Sequence, residues 1–246
     1  MRAKDEGRAA GLCGRRRAYH HGRLKDALIE AARDLVAERG PHGFTLAEAA
    51  KRVGVTAGAP YRHFADRAEL LSELARQGFD LFARRLESAW DGGRPDALSA
   101  FRRMGDAYLT FARDEPGLYS AMFGNVALLA SAASGAAADR ALACIHSGCA
   151  ALLGAYGAPQ TGARDLAFQM WSLSHGVAML ALSGHLDAGH DGDPARILTE
   201  GGRNLVEMAV RRALAPAGPP GPTPAAPSPG AATATGAPPS PWGARD

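Results

Sequence analysis

Residues 45–71 have the sequence TLAEAAKRVGVTAGAPYRHFADRAELL, and this stretch decides the fold. Thr45, with Glu48 three residues later, forms a capping box, which predicts that a helix begins there. A glycine-containing turn follows, and Thr56 can cap a third, short helix that runs to about Phe64. The order of helix, turn and short helix makes this stretch a helix-turn-helix candidate.

Apolar residues recur at helical spacing on both sides of this stretch. On its N-terminal side they predict a helix from about Arg23 to Arg39. On its C-terminal side, Asp66 and Glu69 give a second start signal, for a long helix over Asp66–Ser88. No segment alternates apolar and polar residues for long, so we predict an all-α fold. The remaining predicted helices are Asp96–Arg113, Pro116–Phe123, Ala136–Tyr156, Gly162–Gly184 and Pro194–Leu214.

Composition and pattern divide the 246 residues into four parts. Residues 1–22 are predicted to be a basic disordered arm and residues 23–70 a three-helix helix-turn-helix DNA-binding domain. Residues 71–214 are predicted to be a second, helical domain. Residues 215–246 are rich in Pro, Ala and Gly, and are predicted to be a disordered tail.

The charge of the chain is concentrated at its start. Eight Lys and Arg against two acidic residues give residues 1–25 a net charge of +6, although the whole chain carries only +3. Such an arm suggests a polyanionic partner, either nucleic acid or an anionic membrane, with a disordered solubilising tail as the alternative. No run is apolar and long enough to span a membrane, and the N-terminus lacks the apolar core of a secretory signal.

Several classes of chemistry find no support in the sequence. Three cysteines are a sparse, odd set, which argues against a disulfide framework and predicts a cytoplasmic protein. No phosphate-binding glycine loop or catalytic constellation occurs, so we expect neither an enzyme nor a cofactor. Cys144, His146 and Cys149 spread around a helix, and His185–Asp193 is better explained as a polar loop. We therefore expect no metal site.

The helix-turn-helix candidate offers small side chains at the start of its last helix, where base edges would be met in the major groove. Hydroxyl, imidazole and guanidinium groups around it can bind phosphates, as can helix N-termini. We therefore expect double-stranded DNA as the partner. The predicted DNA-binding residues are Thr45, Thr56, Ala57, Gly58, Ala59, Tyr61, Arg62, His63 and Arg67.

The same residues carry a family resemblance. Residues 24–74 resemble the TetR family of bacterial transcriptional regulators, most specifically in Gly-Val-Thr at 54–56 and Tyr-Arg-His-Phe at 61–64. The resemblance implies that Tyr61 and His63 touch phosphates while the phenylalanine packs. Arg67 matches in kind the lysine that usually opens the next helix. Gly58 and Pro60 weaken the short helix, which we expect to become well ordered only on DNA.

The second half of the chain is rich in bulky apolar residues, and Trp171, His175 and Met179 share one helical stripe. A large apolar cavity among helices is a usual small-molecule site, although any one of these residues can instead fill a core. Trp171, His175 and Gly176 also resemble a TetR C-terminal subtype that is named for Trp, His and Gly. The predicted ligand-binding residues are Met104, Tyr108, Phe111, Tyr119, Met122, Trp171, His175 and Met179.

The resemblance implies a homodimer in which the last two long helices form a four-helix bundle. A twofold dimer would present its two DNA-reading helices roughly 34–36 Å apart, which predicts a palindromic operator. The resemblance also implies that residues 71–214 bind a ligand and dimerise, and that the protein is a repressor that a small apolar ligand releases from DNA. Control by a protein partner, or the lack of any effector, is the alternative. A cavity lined by Tyr108, Met122 and Trp171 would favour the ligand, and a filled core there would favour the alternative.

Overall fold

The computed structural model describes residues 24–124, 132–186 and 192–215, with the side chains of residues 132–134 left aside. Helices fill most of these ranges and no strand occurs in them, which confirms the all-α fold class. The helices are α1 (Leu24–Arg39), α2 (Leu46–Val53), α3 (Arg67–Trp90), α4 (Ala97–Asp114), α5 (Pro116–Phe123), α6 (Ala132–Ala155), α7 (Ala163–Leu182) and α8 (Pro194–Leu214).

Some sequence expectations fall beyond these ranges. The predicted basic arm, the tail after Ala215 and part of the His185–Asp193 loop lie outside the described residues. None of the helices within the described ranges has the length and apolar character needed to cross a bilayer.

Local capping signals set the starts of α2 and α3. The Thr45 hydroxyl accepts the Glu48 backbone N–H at 3.2 Å, and the Thr45 backbone N–H donates to the Glu48 carboxylate at 2.8 Å. Gly54 ends α2 at a φ of 82°, in the left-handed region that glycine adopts without strain. Asp66 accepts the Glu69 backbone N–H at 2.8 Å and so begins α3. Both predicted helix starts are confirmed.

The predicted short helix from Thr56 to Phe64 is wrong in extent. The chain instead forms a single 3₁₀ turn over Ala59–Arg62, and no side chain caps it. The backbone N–H groups of His63 and Phe64 both donate to the Pro60 carbonyl, at 2.9 and 3.0 Å. Pro60 has no N–H to give, and the glycine before it has low helix propensity, so a regular α-helix does not extend through this segment.

The other helices follow the predicted boundaries to within two residues, except that α6 starts at Ala132 rather than Ala136. Their apolar faces form one continuous core that includes residues from α1 through α8. Phe82 of α3 lies at its centre, with its ring edge-on to Tyr108 at 4.9 Å and tilted against Phe111 at 5.1 Å. The division near residue 70 stays a prediction, since buried residues on both sides of it belong to this core.

The N-terminal helices are attached to the rest of the molecule through α5 as well as through α3. Gly117 of α5 lies against the backbone of α1, where an added Cβ would stand 2.1 Å from the Arg33 carbonyl oxygen. The buried Glu115 carboxylate pairs with Arg33 of α1 and, at 3.2 Å, with Arg85 of α3. One carboxylate at the start of α5 therefore joins the first helix to the long third one.

Candidate nucleic-acid interface and effector site

Residues 56–62, here called the reading turn, present a mostly exposed surface on a buried base. Thr56, Ala57, Gly58 and Arg62 are exposed, and Tyr61 keeps 60% of its surface accessible. Pro60 is buried beneath them, and Phe64 is only 2% exposed, with the Lys25 ammonium 5.7 Å from its ring centroid. The turn is therefore fixed to the core from below while its outer side chains face solvent.

Thr45 is exposed, but its hydroxyl is already hydrogen-bonded within the protein. It accepts from the Glu48 N–H and lies 3.0 Å from a Glu48 carboxylate oxygen, to which it can donate. Hydrogen bonds to the Glu48 carboxylate from the Thr45 backbone N–H, then from its hydroxyl and then from Arg39, lower the pKa of Glu48. A phosphate at this helix start would therefore be held mainly by the backbone N–H groups of the first turn of α2 rather than by the threonine side chain.

Arg67 holds the loop that precedes α2. Its Nη1 donates to the carbonyls of His42 at 3.0 Å and Phe44 at 3.4 Å. The predicted phosphate anchor thus has a structural task that sequence alone did not show, which is to tie the start of α3 to the start of α2. His63, which directly follows the reading turn, is half-buried. Six of the nine predicted DNA-binding residues lie in the reading turn, and the hydrogen bonds of Arg67 bring the start of α3 to the loop that precedes Thr45.

Five of the eight predicted ligand-binding residues pack into the core. Their exposed fractions lie between 0 and 3%. Trp171 and His175 are half-buried, and Met179 is 46% exposed. The five core residues are Met104, Tyr108, Phe111, Tyr119 and Met122. For this set the structure shows the filled core that the sequence left open as the alternative.

A hydrogen-bonded chain runs from the core to α7. The hydroxyl oxygens of Tyr108 and Tyr119 are 3.3 Å apart, and the Tyr119 hydroxyl is 2.8 Å from His175 Nδ1. Tyr108 is buried, and no carboxylate or carbonyl acceptor for its proton is found among the described residues. The donors are therefore all satisfied when Tyr108 donates to Tyr119 and Tyr119 donates to a neutral His175. Burial raises the pKa of both tyrosines and lowers that of His175.

The lowered pKa of His175 predicts an acid-sensitive contribution to stability. Just below pH 6.5, the ordinary pKa of histidine, His175 binds a proton in the unfolded chain but is still neutral in the folded chain. Stability should therefore fall between pH 7 and pH 5. His175→Gln keeps an acceptor for Tyr119 and should remove up to about 1.4 kcal/mol per pH unit from that slope, measured by urea unfolding. His146→Gln, which replaces a histidine at an exposed position, is the control variant, and equal slopes in both variants would contradict the assignment to His175.

A cavity of about 490 Å³ lies elsewhere, between α4, α7 and α8, with the end of α6 closing one side. We call it the α4–α8 cleft. None of the eight predicted ligand-binding residues lines it. The sequence does contain a signal for this cleft that the prediction of ligand-binding residues did not use. The apolar stripe of α4 is interrupted by Gly105 and that of α8 by Gly202, and both glycines line the cleft. The apolar residues that line the cleft are Leu98, Phe101, Leu152, Met170, Leu198, Val206 and Val210.

The cysteine and histidine cluster on α6 does not come together as a site. Cys144 and Cys149 are buried, and burial raises the pKa of their thiols to about 11 and about 12. His146 between them is exposed. Across the described ranges no group of three potential ligands is close enough to hold a metal ion.

The fold and the reading turn together define a helix-turn-helix DNA-binding transcriptional regulator with a second helical part. Two family models match the chain. Residues 28–74 match the family described as bacterial regulatory proteins, tetR family, and residues 101–205 match the tetracyclin repressor-like C-terminal domain. The protein belongs to the TetR family, whose regulators bind DNA and are typically dimeric. The finer C-terminal subtype suggested by Trp171, His175 and Gly176 stays a prediction.

Known proteins give the same result. An uncharacterised helix-turn-helix-type transcriptional regulator of Haemophilus influenzae is 28% identical over 97 residues, 39% of this chain and 51% of that protein. The match thus spans about half of the relative. A protein of unknown function from Rhodococcus sp. RHA1 superposes with a TM-score of 0.66 at 27% identity, covering 78% of this chain and 98% of its own.

A structure whose family is stated confirms the fold. The TetR family transcriptional regulator PfmR from Thermus thermophilus superposes with a TM-score of 0.59 at 15% identity. The superposition covers 73% of this chain and 97% of that one.

Proposed function

We propose that this protein binds a palindromic operator as a homodimer and represses transcription until a small molecule releases it. The observation that carries the proposal is the reading turn, which is exposed at Thr56, Tyr61 and Arg62 yet anchored by buried Pro60 and Phe64. A turn of this kind lets small side chains approach base edges while neighbouring hydroxyl and guanidinium groups meet phosphates.

An apolar surface on the last two helices supports the homodimer. Met179 and Leu180 of α7 are 46% and 47% exposed, and Met208 of α8 is 67% exposed. Large apolar side chains that stay exposed on two neighbouring helices are typical of protein interfaces. A second copy related by a twofold axis would cover this surface and would place two reading turns on one face of the duplex.

Two observations bear on control by a ligand, and they favour different candidates. The filled core around Tyr108 and Met122 favours the alternative in which a protein partner, or nothing, controls DNA binding. The α4–α8 cleft favours a small molecule, since its volume of about 490 Å³ lies in the range of ordinary ligand pockets. The cleft therefore supports the ligand-responsive proposal. A ligand bound there can change DNA affinity only if it binds two conformations of the protein with different affinities.

The proposal is tested first by selection of genomic fragments with the purified full chain at moderate salt. The fragments retained should share an inverted repeat. Absence of any preference over random duplex would overturn the proposal, and retention of a single half-site would overturn the homodimer. Compounds that release the selected fragment would then support ligand control, whereas release only by cell protein fractions would favour the alternative.

Arg62→Ala is expected to weaken binding to the selected operator about tenfold and to make the slope of log affinity against log salt shallower by about one. The reason is that one exposed cation of the reading turn no longer displaces a counterion from DNA. Fluorescence anisotropy at four salt concentrations measures both quantities.

Arg84→Ala is the matched control for this change. Arg84 is also exposed, but at 1.5 Å per residue it lies about 25 Å along α3 from the helix start. It should leave the salt slope unaltered. If Arg62→Ala binds with the wild-type slope, or if both variants lose the same slope, Arg62 is not a DNA contact.

A further inference from the structure

We propose that the α4–α8 cleft binds elongated amphipathic carboxylates, with the chain along its apolar floor and the carboxylate at Arg102 and Arg203. The inference deepens the proposed function and rests on its premise that the cleft takes a small molecule. It names the chemical class of that molecule from the shape of the cleft and from the charges at its rim.

The floor of the cleft suits an apolar chain. Leu152, Met170, Leu198 and Val206 are buried side chains that reach it from three helices. The hydroxyl of Ser174, which also lines the floor, already donates to the Met170 carbonyl at 2.8 Å. The floor therefore presents little unsatisfied hydrogen-bonding capacity, and burial of methylene groups is its favourable interaction with a ligand.

The length of the cleft suits an extended molecule. Its lining residues on α8 run from Leu198 to Arg211, which corresponds to about 20 Å of helix at 1.5 Å per residue. Gly105 and Gly202 contribute no side chain to the facing walls. An added Cβ at Gly202 would make ordinary van der Waals contact with Met170 at 3.6 Å, so a methyl group fits there, whereas a larger side chain would narrow the cleft.

The rim favours an anion. It carries three arginines, Arg102, Arg203 and Arg211, against the two carboxylates of Asp106 and Glu207. The Glu207 carboxylate lies 3.8 Å from the Arg211 guanidinium, so the charges of these two side chains offset each other. No carboxylate pairs with Arg102 or Arg203 in the described part of the chain. Arg102 projects from α4 and Arg203 from α8, so the two guanidinium groups flank the cleft from opposite walls, as two-sided binding of a carboxylate requires.

The test uses three probes with a twelve-carbon chain and different head groups: dodecanoate, dodecanol and dodecyltrimethylammonium. Each is titrated into the full chain by calorimetry, the two charged probes below their micelle concentrations and dodecanol below its solubility limit. Dodecanoate should bind saturably and at least about tenfold more tightly than dodecanol, with the ammonium compound weakest. Equal binding of the three probes, or uptake that does not saturate, would overturn the proposal.

Variants locate the binding. The double variant Arg102→Gln with Arg203→Gln should lower dodecanoate affinity to that of dodecanol and should leave dodecanol binding within about twofold. Arg84→Gln with Arg113→Gln removes two exposed arginines that do not line the cleft and should change neither. Gly202→Val narrows the wall and should weaken both probes, with circular dichroism and thermal melting confirming that each variant folds. Wild-type dodecanoate affinity in the double variant would overturn the assignment.

Operator binding, measured in parallel, separates this inference from the proposed function. Arginine-dependent dodecanoate binding that leaves DNA affinity unchanged supports the ligand class and removes the effector role of the cleft. DNA release by dodecanoate in the double variant as well as in the wild type overturns the assignment of the carboxylate to Arg102 and Arg203 and leaves ligand control standing. Loss of probe binding as the protein is concentrated would show that a second copy covers the cleft, which overturns the inference.

Discussion

Gly117→Ala will lower the free energy of unfolding by at least about 3 kcal/mol, because the new methyl group has no space. Its Cβ would stand 2.1 Å from the Arg33 carbonyl oxygen and 3.0 Å from the carbonyl carbon. Both are backbone atoms of α1, and neither can rotate away as a side chain would. The first helix must move away from α5, and the core that it shares with α2 and α3 must open with it.

Urea unfolding followed by circular dichroism at one fixed protein concentration measures the loss. Gly135→Ala is the matched control, since its added Cβ in α6 would meet no described atom within 4 Å other than its neighbours and its own helix backbone. That change should raise stability by about 0.5–1 kcal/mol, because alanine favours the helix and restricts the unfolded chain. Near-wild-type stability in Gly117→Ala would show that α1 and α5 are not in close contact.

Glu115→Ala is expected to cost about 3 kcal/mol and to loosen the N-terminal helices from the rest of the molecule. Its side chain is 11% exposed and pairs with two arginines that are each about one third exposed. Removal of the carboxylate leaves Arg33 and Arg85 near each other with no shared counterion. Like-charge repulsion then replaces the attraction that joined α1, α3 and α5.

Two measurements separate this effect from a general loss of stability. Urea unfolding gives the total cost, and hydrogen exchange should show α1 losing protection before α6 does. Glu30→Ala removes the other acidic partner of Arg33, but that side chain is 65% exposed, so the cost should stay below about 1 kcal/mol. Equal losses in the two variants would show that Glu115 does not join the helices.

The reading turn shows how far local signals extend. The sequence identifies the weak residues, Gly58 and Pro60, and predicts a helix of low stability. The structure contains only the 3₁₀ turn Ala59–Arg62. Helix propensity gives the cost of each residue, but whether a helix forms depends on the packing that offsets that cost. Here Pro60 and Phe64 anchor the turn to the core without requiring a full helix.

The assignment of function-bearing residues divides in the same way. The nine predicted DNA-binding residues could be placed together from sequence because they lie within one short stretch whose motif fixes their arrangement. The lining of the α4–α8 cleft could not be predicted in this way. Met104 of α4 faces the core and Phe101, three residues earlier, faces the cleft, yet both are bulky apolar residues on the same side of one amphipathic helix.

The sequence by itself determined the helices and their ends, since the bonds that begin and end a helix join residues three or four positions apart. Two capping pairs begin helices, Thr45 with Glu48 and Asp66 with Glu69, and Gly54 ends one. The structure has each of them at the predicted position. Only the tertiary structure decided where α5 docks, which carboxylate joins α1 to α3, and which apolar face lines a cavity. Those outcomes depend on contacts between residues that are 30 or more positions apart. The periodicity of apolar residues predicts which face of a helix turns inward, but it does not predict which residues that face contacts.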